Sequence, residues 1–197
     1  MPVLGIVASQ ISGHLFAPSG AYDSIATVNV SSATSSITFS SIPSTYTHLQ
    51  LRGISRSSSG NNYDNLIIGF NSDTGANYAS HYLAGNGATA DSYAWTSDTA
   101  IRSFYTSGGG AISGVFAASV IDILDYANTS KFKTTRQLNG FDNNGTGTSN
   151  YDKGTVDLSS GLWRSTSAIS SINLQINAGV NFTQYSQFAL YGIKGGN

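Results

Sequence analysis

The chain carries ten acidic residues, and none of them is a glutamate. Asp23, Asp64, Asp73, Asp91, Asp98, Asp122, Asp125, Asp142, Asp152 and Asp157 hold all of the side-chain negative charge, and there are only four lysines, Lys131, Lys133, Lys153 and Lys194. Glu and Lys usually clothe the exposed side of a helix, so their near absence leaves no long stretch suited to being both helical and wet. Ser, Thr, Asn, Asp and Gly take their place, and these favour turns, caps and strands over helix interiors. The sequence predicts a chain that is nearly all β.

At 197 residues and 40% hydrophobic content, the chain is long enough for one domain with a core of its own. Only 10% of residues are charged, against roughly 25% in a typical soluble domain, so hydroxyls and amides must do most of the solvating. The nine basic residues are scattered and the net charge is -1, which gives no stripe for a phosphate backbone and excludes nucleic acid as an expected partner. Absence of cysteine removes disulfides, thiol catalysis and thiolate metal sites together. The longest largely apolar run, VFAASVI at Val115 to Ile121, is too short to cross a bilayer, and MPVLGIVASQISGHLF has no basic n-region, so neither a membrane partner nor a cleaved leader is expected.

Residues 1–20 differ from the rest, with apolar residues lacking a clean period and then the turn-forming APSG at Ala17 to Gly20. They read as an N-terminal arm, and residues 21–197 as the globular domain. Val3, Leu4, Ile6, Val7, Ile11, Leu15 and Phe16 are awkward in water, and packing against a neighbouring subunit would cover them. An edge strand folded onto its own domain would cover them equally well.

From Ala21 onward about ten short β-branched or aromatic segments alternate with Ser/Gly/Asn-rich punctuation: 24–30, 36–39, 48–54, 65–70, 78–83, 100–105, 113–124, 131–141, 155–157, 171–177 and 184–193. This spacing predicts an antiparallel β-sandwich of jelly-roll type carrying an extended N-terminal arm. Alternation is clearest at Leu49 and Leu51, at Leu66, Ile68 and Phe70, and at Ile172, Leu174 and Ile176, whose neighbours are largely amides and other polar groups. Phe188 and Leu190 on one side of the last segment, with Tyr185, Tyr191 and Ile193 on the other, suit a strand covered on both faces. The stretches after Ile54, Leu83, Tyr105 and Phe141 are glycine-rich and read as long surface loops.

No residues assemble into a recognisable catalytic motif. His14, His48 and His81 have no G-x-S-x-G elbow near them. Asp122 and Asp125 are the closest acids within an apolar run, but an offset of three places them on opposite faces of a strand, unsuited to a glycosidase pair. DNNGTG from Asp142 and NSDTGAN from Asn71 hold oxygen ligands and glycine without the terminal bidentate Glu of a calcium loop. FNSDTGANYASHYL, Phe70 to Leu83, therefore reads as a hairpin with an Asx-turn and a glycine at positive φ. No cofactor or metal is expected. The sequons at Asn29, Asn128, Asn144 and Asn181 would matter only in a secreted eukaryotic protein. Tyr63, Tyr93, Trp95, Tyr105 and Tyr151 lie in or near loops, where aromatic faces can stack on sugar rings or cover core edges.

Four stretches taken together, FNSDTGANYASHYL, IDILDYANTSKFKTTR (Ile121 to Arg136), GLWRSTSAISSINL (Gly161 to Leu174) and SQFALYGIKGG (Ser186 to Gly196), resemble a β-sandwich domain of tailed-bacteriophage virion proteins, over the span from about Tyr46 to the C-terminus. The resemblance implies a structural, non-enzymatic subunit: a capsid decoration (cement) protein or a tail-fibre or baseplate module, commonly trimeric. On this reading the protein is made in the bacterial cytoplasm and serves on the virion. Its partners are further copies of itself and the major capsid protein, with the arm residues Val3, Leu4, Ile6, Val7, Ile11, Leu15 and Phe16 as the interface. The alternative is a tail module that recognises host-surface carbohydrate through Tyr93, Trp95 and Tyr105.

Overall fold

The structure, a computed structural model, describes residues 20–145 and 151–195. The described chain forms twelve strands: β1 (Tyr22–Asn29), β2 (Ser36–Phe39), β3 (His48–Ser55), β4 (Tyr63–Phe70), β5 (Tyr78–Gly85), β6 (Ala90–Asp98), β7 (Ile101–Ser107), β8 (Ala117–Leu124), β9 (Lys133–Asp142), β10 (Gly154–Trp163), β11 (Ile172–Ile176) and β12 (Gln187–Ile193). A single 3-10 turn, Tyr151–Lys153, precedes β10. The glutamate-free composition is thus reflected in an all-β chain, as local propensity requires.

Two antiparallel sheets form a sandwich: an eight-stranded sheet in the order β1-β12-β3-β8-β9-β10-β5-β6 and a four-stranded sheet in the order β2-β11-β4-β7. Four pairs nest inside one another along the chain, β1 with β12, β2 with β11, β3 with β8, and β4 with β7. The insertions β5-β6 and β9-β10 then widen only the larger sheet, so four of its strands extend beyond the eight that nest.

Two sequence expectations change here. The stretch after Leu83, expected to be a long loop, is mostly β6, an edge strand rich in Ser, Thr and Ala that carries no run of buried apolar residues. Phe70 to Leu83 is not a hairpin, because β4 pairs only within the small sheet and β5 only within the large one. The chain crosses between layers there. Positive φ falls on Asn71 and Ser72, not on Gly75, and the crossing is held by side chains instead of by a glycine.

The apolar half of the core lies between β2, β11 and β4 on one side and β12, β3 and β8 on the other. Leu49, Leu51, Leu66, Ile68, Phe70, Ile172 and Leu174 are all fully buried, as their alternation predicted. In β12, between β1 and β3, Phe188 and Leu190 are buried in the core while Ala189, Tyr191 and Ile193 on the other face stay partly exposed, so the strand is fully covered on one face and not on both.

The other half of the interior is different. Where β7 lies over β9 and β10, the buried residues include Ser103, Thr135, Gln137, Asn139, Asp157 and Ser159. They bond mainly to each other and to main chain: Ser103 Oγ to Gln137 Oε1, Gln137 Nε2 to Thr135 Oγ1 at 3.1 Å, and Ser159 Oγ to the Ser103 carbonyl at 2.7 Å. Small hydroxyl and amide side chains satisfy one another and let the layers come close. Gly161 marks a close approach of the layers, since a Cβ there would sit 2.6 Å from Ile101 Cγ2.

Candidate functional site

The polar interior of β9 and β10 has a direct consequence on their other face. Side chains alternate across a strand, so with Gln137, Asn139, Asp157 and Ser159 turned inward, Leu138, Val156 and Leu158 point outward. Their exposures are 56%, 59% and 50%. This strand pair is inside-out relative to an ordinary half-buried sheet.

The outward residues join their neighbours in register. One row across the large sheet runs Arg52, Val120, Leu138, Leu158, Leu83 from β3 to β5. The adjacent row runs Ile54, Ala118, Gly140, Val156, Gly85. Together they form an exposed apolar band five strands wide, about 19 Å at the usual strand spacing. Gly140 and Ala118 leave a shallow groove of about 590 Å³ between the larger side chains, whose lining also takes in Gln187 and Tyr191. Exposed contiguous apolar surface of a few hundred Å² marks an interaction site more often than chance.

Charged and polar rows flank the band. On one side Gln50, Asp122, Arg136, Ser160 and His81 stand in register. Gln50 Nε2 donates to Asp122 at 2.8 Å, Arg52 Nε donates to Gln50 Oε1 at 2.7 Å, and the Arg52 guanidinium lies over the Tyr22 and Tyr191 rings. Arg136 approaches Asp122 at 3.7 Å. Asp142, Lys153 and Asn86 lie near the other end of Val156. An apolar centre with a mixed-charge rim is the usual anatomy of a protein–protein contact.

The aromatic residues collect at a second place. Tyr82 of β5, its register partner Tyr93 of β6, and Trp95 gather on the side of β5 and β6 that meets β7. Tyr82 stacks on Trp95 at 5.4 Å, Tyr93 tilts against Trp95 at 4.8 Å, and Tyr105 of β7 contacts Tyr63, Tyr82 and Tyr151 at 5.0 to 6.1 Å. Arg102 lies 5.4 Å above the Trp95 ring and pairs with Asp98 at 2.6 Å. Burial pushes the Tyr105 hydroxyl far above its ordinary range and Tyr151 up to about 12. The three residues expected to contact sugar therefore do come together, but Trp95 and Tyr105 spend much of their ring surface on neighbours. Tyr93, 58% exposed, is the open ring of the three.

Val3, Leu4, Ile6, Val7, Ile11, Leu15 and Phe16, like His14, lie outside the described residues. Asp122 sits in β8 facing the rim, whereas Asp125 lies just past the strand at φ 49, bonded to Lys131 and close to His48. His48 accepts from the Asp125 main chain at 3.0 Å, and His81 is exposed on β5. Asp73 receives Trp163 Nε1 at 2.7 Å, Asn77 Nδ2 at 2.9 Å and the Gly75 N–H at 2.8 Å. Those donors occupy its carboxylate and hold its pKa below the ordinary range, Trp163 most of all. Among the described residues no group of three or more His, Cys, Asp or Glu is placed to hold a metal ion, and no helix is long and apolar enough to cross a membrane.

Leu83, Val120, Leu138, Val156 and Leu158 are not among the candidate residues that the sequence singles out. Their signal was present in QLNGFD and TVDLSS, where the polar members of the alternation are the small residues and amides that can bond to one another in an interior. No family model, curated protein or solved structure matches the chain.

Proposed function

We propose that this chain is a structural subunit of a tailed-phage particle, a capsid decoration protein with a jelly-roll winding, that works through its surfaces and associates with copies of itself through the outer face of the large sheet. The observation that carries this reading is the in-register apolar band of Val120, Leu138, Leu158, Leu83, Ile54 and Val156. A second copy is the occupant that fits best. The rim carries both signs, Asp122 beside Arg136 and Arg52, so it can match itself, whereas a single-sign rim would call for a partner of opposite charge. The resemblance of four stretches to phage virion proteins supports the particle setting, with the major capsid protein as the second partner and the arm residues available for anchoring.

The test is the mass of the particle in solution. Leu138→Asp, at a position already exposed, should leave the β circular-dichroism spectrum intact while light scattering reports a monomer at concentrations where the parent associates. A parent that is monomeric at high concentration would remove the reading. A tail module that binds host-surface glycan is the second reading, favoured by the open Tyr93 ring beside Trp95. Copy number per virion separates the two, hundreds for a decoration protein and a handful for a tail module.

A further inference from the structure

Asp157 and Asn139 face each other across β10 and β9 as register partners on the inner side, 2% and 3% exposed. Asn139 Nδ2 donates to Asp157 Oδ1 at 2.9 Å. The other oxygen of each group, Asn139 Oδ1 and Asp157 Oδ2, is buried with no hydrogen-bond partner. An ionised carboxylate beside an amide oxygen gives two acceptors and no donor, in a place without bulk water, which is costly. One proton resolves both vacancies. On Asp157 Oδ2 it would donate to Asn139 Oδ1, and the two side chains would then be joined by two parallel hydrogen bonds, N–H to carboxyl oxygen and O–H to amide oxygen.

We propose that Asp157 is a neutral carboxylic acid shared with Asn139, an acid–amide clamp between β9 and β10 directly beneath Leu138, Val156 and Leu158, which opens to a strained, ionised form as pH rises. The cation nearby, Arg102, is already held by another carboxylate. From β7 the Tyr105 and Arg102 side chains line the same small void, from β5 Tyr82, from β6 Trp95 and from β4 Asn65. Arg102 is committed to Asp98 at 2.6 Å, and the partner strand presents Gln137 and Asn139, both uncharged. In keeping with this geometry, burial pushes the Asp157 carboxyl up to about 6, outweighing the hydrogen bonds from Asn139 and the Tyr105 main chain.

The sign follows from linkage. The folded value lies above the unfolded one of about 3.9, so the clamp's stability is complete below about pH 4 and is lost as pH rises to about 6. This inference is independent of what docks on the band.

Asp157→Asn tests it, because an amide in that position supplies the second donor permanently without charge. We expect this variant to melt several degrees above the parent at neutral pH and to lose the decline that the parent shows between about pH 4 and about pH 6.5. A carbon-detected titration of the parent's aspartate carboxyls gives the same answer without a mutation: one of the ten should titrate well above the rest and lose its signal in Asp157→Asn. If every carboxyl titrates in the ordinary range, or if Asp157→Asn melts below the parent at neutral pH, Asp157 is an ionised group satisfied by water and the clamp does not exist.

Discussion

At the scale of single residues, this fold is fastened by polar side chains that reach main chain or indole, with few buried ion pairs. Arg56 donates to four carbonyls, those of Gly109, Ala111, Ile112 and Val115, at 2.8 to 3.1 Å, and so pins the loop after β7. Lys133 is fully buried with its ammonium on the carbonyls of Asn128, Lys131 and Thr166, and burial lowers its pKa. Asp73 does the same work at the crossing from β4 to β5. Replacing Asp73 with Ala strips partners from Trp163 Nε1 and Asn77 and should cost about 1.5–3 kcal/mol at neutral pH, read from denaturant midpoints. Its folded pKa lies below the unfolded one, so its contribution is present above about pH 4 and lost as pH falls through the folded value. The gap between parent and Asp73→Ala should therefore narrow in acid.

At the scale of elements, the inversion of β9 and β10 decides where the chain can be close-packed and where it can stick to something else. Gly161 sits on the inner face of β10, and an added methyl would meet Ile101 and Thr135 at 2.6 Å. Gly161→Ala should lower stability by roughly 1–3 kcal/mol through overpacking, seen as a lower urea midpoint with an unchanged slope. Gly53 and Gly192 play a related part under the rings of Phe188 and Tyr46, where bare backbone gives a flat seat for an aromatic side chain. Edge strand β6 is the element least supported by packing. Its place rests on pairing with β5 and on the stacked rings of Tyr82 and Trp95.

At the scale of the whole molecule, the two outer faces are unlike. The small sheet presents Thr38, Asn173, Gln175 and Gly69 with Ile67 among them, a mixed surface without the row of exposed leucines and valines seen on the large sheet. The large sheet presents the apolar band, and covering it returns on the order of 1 kcal/mol for each half-exposed leucine or valine. On the proposed reading, that asymmetry directs self-association through the large-sheet face. Residues 1–16 carry a separate set of apolar side chains, and if the chain decorates a capsid as proposed, deleting them should leave the β domain folded while reducing occupancy on the particle. Unchanged occupancy, scored by densitometry of purified particles, would leave the band alone responsible for attachment.

Much of the architecture was legible because it follows from local chemistry. Absence of glutamate excluded helix, and period-two runs at Leu49 and Leu51, at Leu66 to Phe70 and at Ile172 to Ile176 identified buried faces, since each strand states its own alternation. What the sequence could not state is which side of a strand faces in. For QLNGFD and TVDLSS, alternation alone would turn Leu138, Val156 and Leu158 toward the core. Only the approach of β7, with Ser103 and Tyr105 over Gln137, Asn139, Asp157 and Ser159, makes the polar side the better interior. The direction of a face is set by the partner layer, and that partner is distant in the chain. The same reason hid the crossing at Asp73, whose chief donor, Trp163, lies 90 residues further along.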